Sequence, residues 1–281
     1  MRKFSIFLCA FLPIFGFAAT PNIIVFPQQV IQGEPVKIVV EGVTGVAAIR
    51  RISFDGKTLG VFLYQGKPVA FLGVDLKQKS GEYEIVAELS DGRTIEKKLT
   101  VAKRPKVSAP LGIPEKLGGN TPAAAEAVVS SLVKENQTIY SVRTFPKTLW
   151  TETFKVPIPN PVVTDAYGYS RQTIGQTITH KGTDFRADEG TKVSSMNRGI
   201  VRFARPLSVY GKTVIVDHGL GIHTLYMHLS KINVNEGELV KQGQLIGFSG
   251  KTGYAESPHL HVSVWIDKVS IDPMKFMALF K

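Results

Sequence analysis

His180-Lys181-Gly182-Thr183-Asp184-Phe185 sets a histidine four residues ahead of a carboxylate, and Pro258-His259-Leu260-His261 supplies two more histidines further on. All six histidines of the chain lie between positions 180 and 261. That clustering points to one site. A histidine, a carboxylate and a second histidine borne on strands are the three protein ligands expected of a catalytic zinc that keeps an open position. Residues i and i+2 of a strand share a face, so His259 and His261 point the same way while Leu260 and Val262 enter the opposite layer. By the same alternation His228 shares a face with Thr224 and Tyr226, and His223 falls with Leu225 and Met227. This selects His228 for the site and leaves His223 out. His218 follows Val214-Ile215-Val216-Asp217 at a strand end and reads as a structural hydrogen-bonding residue.

Several other chemistries are excluded. No His-Glu-x-x-His helix motif occurs, so the base is not its glutamate; spare histidines, which titrate near neutrality, are the obvious supply. Ser249-Gly250-Lys251-Thr252 ends like a phosphate-binding loop, but Leu245 stands where that loop needs glycine and no helix pattern follows, so it reads as a glycine turn. The single cysteine, Cys9, removes thiolate ligands and disulfides from the rest of the chain.

Outward from the histidines, residues 162–275 read as a glycine-rich, mostly antiparallel β domain without helical spacing. Residues 20–103 read as a second β domain. Val36, Ile38 and Val40 alternate, as do Tyr83, Ile85, Ala87 and Leu89, and turn signals such as Asp55-Gly56 and Asp91-Gly92 recur. About seven short strands of this kind predict an immunoglobulin-like β-sandwich. Without histidines or a clustered acid pair, it reads as a spacer or packing module.

Between the two, residues 104–161 form a proline- and glycine-rich linker with few contacts expected across it, so the halves should separate. Thr121-Pro122 starts one short helix, with Val128, Val129, Leu132 and Val133 as its apolar stripe. Leu149, Trp150 and Phe154 mark an arm that wraps the histidine domain. At the amino terminus, residues 1–18 read as a secretory signal peptide: Arg2 and Lys3, an apolar run to Phe17, then Ala18 and Ala19. The formal net charge is +11. Scattered basic residues argue against nucleic acid and leave an anionic wall or membrane surface as a peripheral partner.

From Asp165 to Pro273 the chain resembles the lysostaphin/LytM-type zinc peptidases that cut peptidoglycan. The stretches that carry the likeness are Tyr167-Gly168-Tyr169-Ser170-Arg171, His180 to Phe185, Gly199-Ile200-Val201, Val216-Asp217-His218-Gly219, Tyr226-Met227-His228-Leu229, Val240 to Gly247 and Pro258 to His261, all in the family's order. The resemblance implies that His180, Asp184 and His261 hold Zn2+ and that His228 and His259 are the catalytic pair. It further implies a monomer exported to the periplasm that hydrolyses cross-links or stem peptides of peptidoglycan, D-alanyl–diaminopimelate bonds in a Gram-negative wall. A glycyl-glycine endopeptidase and a non-catalytic wall-binding regulator are the alternatives. Glu256 and Ser257 depart from the family's small residues and should line the groove. The sandwich and the arm are further expected to cover that groove and restrain the enzyme.

Overall fold

Alternating burial along Pro35–Glu41, with Val36, Ile38 and Val40 inside, builds the first of two facing sheets. The computed structural model describes residues 20–110 and 112–280; the signal-peptide reading and Cys9 lie outside them. One sheet has four strands, in the order Asn22–Phe26, Pro35–Glu41, Lys67–Gly73, Val61–Tyr64. The other has five: Gln29–Ile31, Thr94–Ala102, Gly81–Leu89, Ile49–Phe54, Lys57–Leu59. Side chains from both, among them Ile38, Leu72, Ile52, Ile85 and Leu99, close one core. The sandwich therefore exceeds the expected seven strands through short pieces such as Gln29–Ile31 and Lys57–Leu59.

The helix of the linker, α1 (Pro122–Tyr140), begins where the sequence places it, with the Thr121 hydroxyl accepting from Ala124 N at 3.2 Å. It runs past Glu135, and its buried face differs from the expected stripe: Val133 is exposed, and Glu135 is buried with Val128 and Ile139. The reason is polar. The Glu135 carboxylate accepts from Val209 N at 2.8 Å and Tyr210 N at 3.1 Å, fixing the helix to a loop of the histidine domain.

That domain is built on an eight-stranded antiparallel sheet. Its central strand, His259–Ile266, pairs with Thr183–Arg186 on one side and Ile222–Leu229 on the other. Register sets Asp184 opposite His261, and Met227 opposite His261 from the other flank. The hairpin of Ser170–Thr173 and Gln176–Thr179 stands beside this sheet and takes Ser108–Pro110 of the linker as a parallel partner. A short helix, α2 (Pro273–Ala278), follows the last strand.

The two domains are not loosely joined. In Lys67–Gly73, Ala70 and Leu72 enter the sandwich core while Val69 and Phe71 face out into the core of the histidine domain. Trp150 of the arm lies at the centre of that seam. Its ring centroid is 5.7 Å from Phe62, 5.2 Å from Tyr64, 5.4 Å from Phe154 and 5.4 Å from Phe280. The arm thus binds both halves together, which corrects the expectation of few contacts across the linker. Arg104 adds a polar tie, donating to Gln32 O at 2.6 Å and Tyr167 O at 3.3 Å. A shared core should melt as a unit. Denaturant unfolding of the intact chain is expected to show one transition by both circular dichroism and fluorescence, and Trp150→Ala should cost about 3–5 kcal/mol. A fragment of residues 20–103 keeps its own core but bares Phe62, Val69 and Phe71, so it should bind an apolar dye that the intact protein does not.

Candidate metal centre

Three acceptor atoms meet where the strands Thr183–Arg186 and His259–Ile266 pair. His180 Nε2 lies 3.0 Å from Asp184 Oδ1 and 3.0 Å from His261 Nδ1, and His261 Nδ1 lies 2.7 Å from Asp184 Oδ1. All three residues are buried. The opposite nitrogen of each ring identifies its proton. His180 Nδ1 is 2.9 Å from the Ala166 carbonyl, which can only accept, so the proton sits there and Nε2 is bare. His261 Nε2 is 3.0 Å from Ser263 Oγ, whose hydroxyl donates to Lys181 O at 2.8 Å; Nε2 therefore donates to Ser263 and Nδ1 is bare. Two imidazole lone pairs and a carboxylate oxygen converge with no proton between them. A cation is the group that satisfies this arrangement, and the donor set of two nitrogens and one oxygen fits zinc.

Electrostatics agree. Burial pushes the His261 imidazole down to about 4 despite Asp184 beside it, so it is neutral at pH 7. Burial pushes the Asp184 carboxyl up, but attraction to His180 and His261, whose rings fill the cation's place when one of them carries the extra proton, outweighs it and holds the group well below the usual carboxylate range. The other carboxylate oxygen, Oδ2, accepts from Arg171 Nη2, which also pairs with Asp165. Arg171 thus fixes which oxygen of Asp184 faces the histidines. Gly182 is required by packing: a Cβ there would stand 2.3 Å from His261 Nε2 and 2.5 Å from Val262 O.

His228 and His259 stand across from these three, with ring centroids 4.8 Å apart. His228 also lies 6.0 Å from the His261 ring, and His259 Nε2 lies 3.9 Å from Asp184 Oδ1. Both rings are oriented alike. His228 Nδ1 donates to Thr252 O at 2.9 Å and His259 Nδ1 to Ser257 O at 2.9 Å, so when neutral each presents a bare Nε2. Burial, then the charge of His259 and His261, holds His228 well below its ordinary value. The ring is therefore neutral at pH 7.

His228 reaches the site by a route that strand alternation does not give. Cross-strand partners share a face, and Met227, Leu225 and His223 oppose His261, Ser263 and Trp265. The site face is therefore that of the odd-numbered residues, and simple alternation would bury His228 in the core beside Tyr226. A bulge intervenes: the neighbouring strand pairs Lys212 with Leu229 but Val214 with Tyr226, leaving one extra residue. His228 takes φ 60, a left-handed backbone, and its ring turns into the site. The structure thus brings His228 beside His259 and His261, by a face other than the one assigned to it. The segment Ser249–Thr252, expected as a glycine turn, instead bridges Gly250 to His259 and supplies the carbonyl that holds His228, with Thr252 itself fixed by its hydroxyl to Leu229 O at 2.7 Å.

The remaining histidines do not reach the centre. His223 lies near the Gly221 and Arg143 carbonyls, at 3.3 and 3.4 Å. His218 is structural, with Nδ1 2.8 Å from Arg198 O and Nε2 2.8 Å from Thr224 Oγ1. Sequence reasoning assigned no part to Arg171, Ser263 or Glu135: the partners of Glu135 lie over seventy residues away, and Arg171 and Ser263 carry no spacing signal that marks their bonds to Asp184 and His261.

The groove opens on both sides of the five residues. One side is lined by Arg186, Glu256, Ser257 and His259, so the two departures from the family pattern do face it. The other is walled by Val129, Leu132 and Val133 of α1 and by Trp265. Of the elements expected to cover the groove, the arm is instead committed to the aromatic seam, while the sandwich contributes Lys77 to the lining beside the α1 wall.

Residues 178–273 match the profile of Peptidase family M23. The chain is 39% identical over 101 residues to the peptidoglycan DD-endopeptidase ShyB of Vibrio cholerae, covering 36% of this chain and 24% of that one. It is 34% identical over 119 residues to the DD-carboxypeptidase/endopeptidase Mpg of Neisseria meningitidis, covering 42% and 27%. The chain thus spans about a quarter of the length of these curated relatives. A crystal structure of a candidate M23 peptidase from Pseudomonas aeruginosa superposes with a TM-score of 0.64 at 25% identity, covering 89% of this chain and 96% of that one.

Two outcomes follow from the geometry. Elemental analysis of purified variants should find His180→Ala empty and His228→Ala loaded, while Ser263→Ala, which frees the far nitrogen of His261, should weaken metal binding about 10–100-fold. The second concerns acid. Burial pushes His218 down to about 4 from an ordinary 6.5. The unfolded chain binds that proton first, so the stability this group confers is full above pH 6.5 and falls as pH drops towards 4. In metal-free protein, His218→Asn should flatten the loss of stability across that window, read by urea unfolding at each pH.

Proposed function

We propose that this chain, whose residues 178–273 form a metallopeptidase domain of family M23, is an exported zinc endopeptidase that cuts peptide bonds of peptidoglycan. The observation that carries this reading is the convergence of His180 Nε2, Asp184 Oδ1 and His261 Nδ1 below two further imidazoles with bare Nε2 atoms. In this reading His180, Asp184 and His261 hold zinc, and His228 and His259 are catalytic. Bound zinc supplies Lewis acidity towards water and the scissile carbonyl. The chain's own groups do the rest. Neutral His228 takes a proton at Nε2, because its Nδ1 proton is committed to Thr252 O. His259, 4.8 Å away ring to ring, is placed to steady the tetrahedral oxyanion through Nε2 when protonated, and the pair returns a proton to the leaving amine.

The bond is read as D-alanyl–diaminopimelate. Support comes from the DD-endopeptidase named among the relatives and from a groove whose α1 wall is apolar and admits a slim chain. The relatives from Vibrio and Neisseria support a periplasmic location. The sandwich is read as immunoglobulin-like, on its two facing sheets and single core.

Purified Gram-negative sacculi incubated with the zinc-loaded protein should lose cross-linked dimers and gain monomeric muropeptides by mass spectrometry. His228→Ala should lower the rate at least a hundredfold with metal retained. Unchanged muropeptides with zinc fully bound would favour a wall-binding regulator, and cleavage of a pentaglycine bridge alone would move the specificity to glycine.

A further inference from the structure

A second cleft opens between the sandwich and the histidine domain, with a volume of about 340 Å³. Five lysines line it: Lys77 and Lys103 from the sandwich, Lys106 from the linker, Lys181 and Lys268 from the histidine domain. Asp75 is the one carboxylate among its lining residues. None of the five ammonium groups makes an ion pair among the described residues. Arg104 forms part of the floor, held by Gln32 O and Tyr167 O and lying 5.2 Å over the Tyr167 ring. Like charges gathered in one concavity repel, and low-dielectric walls focus their field on whatever anion enters.

The cleft communicates with the metal centre. Lys77, Thr179 and Lys181 line both it and the groove over His180 and His261. Lys181 follows His180 directly, and its carbonyl accepts from Ser263 Oγ at 2.8 Å and Ser270 Oγ at 3.0 Å. Its backbone is therefore locked beside the centre. Next to the metal the groove is walled by apolar groups such as Leu132, Met227 and Trp265; beyond it come the cations. A flat membrane cannot enter such a cleft, whereas a peptide lying in the groove can extend into it.

We propose that this cleft is a carboxylate-binding subsite, and that the substrate is an acidic peptide with small apolar groups at the cut and free carboxylates further along. This rests on the reading of the centre as a peptidase site. It gives the sandwich a chemical part, because Lys77 belongs to it and the cleft exists only where both halves meet.

The test uses the zinc-loaded full chain and two synthetic cross-linked peptides identical except that one carries free carboxylates and the other carboxamides. The free acid should be cut with a kcat/KM about tenfold higher or more, expressed in KM, as charge-assisted hydrogen bonds to lysine would give. Lys103→Gln/Lys106→Gln/Lys268→Gln should remove that preference and leave turnover of the carboxamide unchanged. Lys103→Glu/Lys106→Glu should reverse it. In parallel, calorimetry with the His228→Ala protein measures binding of both peptides without cleavage. Should the wild type cut neither peptide, the peptidase reading fails, while tighter binding of the free acid, lost in the lysine variant, still establishes the subsite. Equal binding of the two peptides overturns the proposal. So does a lysine variant that lowers both alike, or one that loses only its affinity for phosphatidylglycerol vesicles, which would assign the cations to a membrane surface.

Discussion

Three lone pairs aimed at one point are the constraint on which the domain depends. His180 Nε2, His261 Nδ1 and Asp184 Oδ1 are mutually within 3.0 Å and buried, and in the neutral rings the far-side partners draw the proton to the opposite nitrogen. Without a cation such a cluster is repulsive, and a fold holds it only because its supports are rigid. Ala166 O, Ser263 Oγ and Arg171 Nη2 each fix one ligand. The pairing of Asp184 with His261 across adjacent strands supplies the approach, and Gly182 leaves room for the ring. A metal bound there would relieve this repulsion and stabilise the native state.

His228, which faces His259, is held by a different device. His228 depends on a bulge and a left-handed backbone, conformations that are strained for a residue with a side chain. The strain is held by His228 N donating to Tyr210 O at 3.0 Å, and that loop is in turn fixed by the buried Glu135 of α1. The helix thus braces the strand that carries His228, as well as walling the groove.

Much of this was legible in the sequence. The histidine cluster, the Thr121 cap and the β character of both halves come from spacing and local chemistry, which a single chain displays directly, whereas Ser249–Thr252, expected as a glycine turn, instead bridges Gly250 to His259. What escaped depended on contacts distant in sequence. The face of His228 was misassigned because alternation assumes an unbroken strand, and one inserted residue inverts it. The stripe on α1 was misplaced because Glu135 reads as an exposed charge until its partners at Val209 and Tyr210 are known. The seam between domains left a trace that went unread: Val69-Ala70-Phe71-Leu72 is continuously apolar, the mark of a strand buried on both faces rather than one. With that strand and Trp150 joining the halves, the linker does not separate two independent modules.

The identity of the ligands is the claim on which the chemistry stands. X-ray absorption at the zinc edge of the loaded protein resolves imidazole from other light-atom scattering. Two imidazoles, with oxygens completing the shell, are expected if His180 and His261 bind with Asp184 and leave His228 and His259 free. A shell of three or four imidazoles would contradict it, because His228 or His259 would then be a ligand and unavailable as a base.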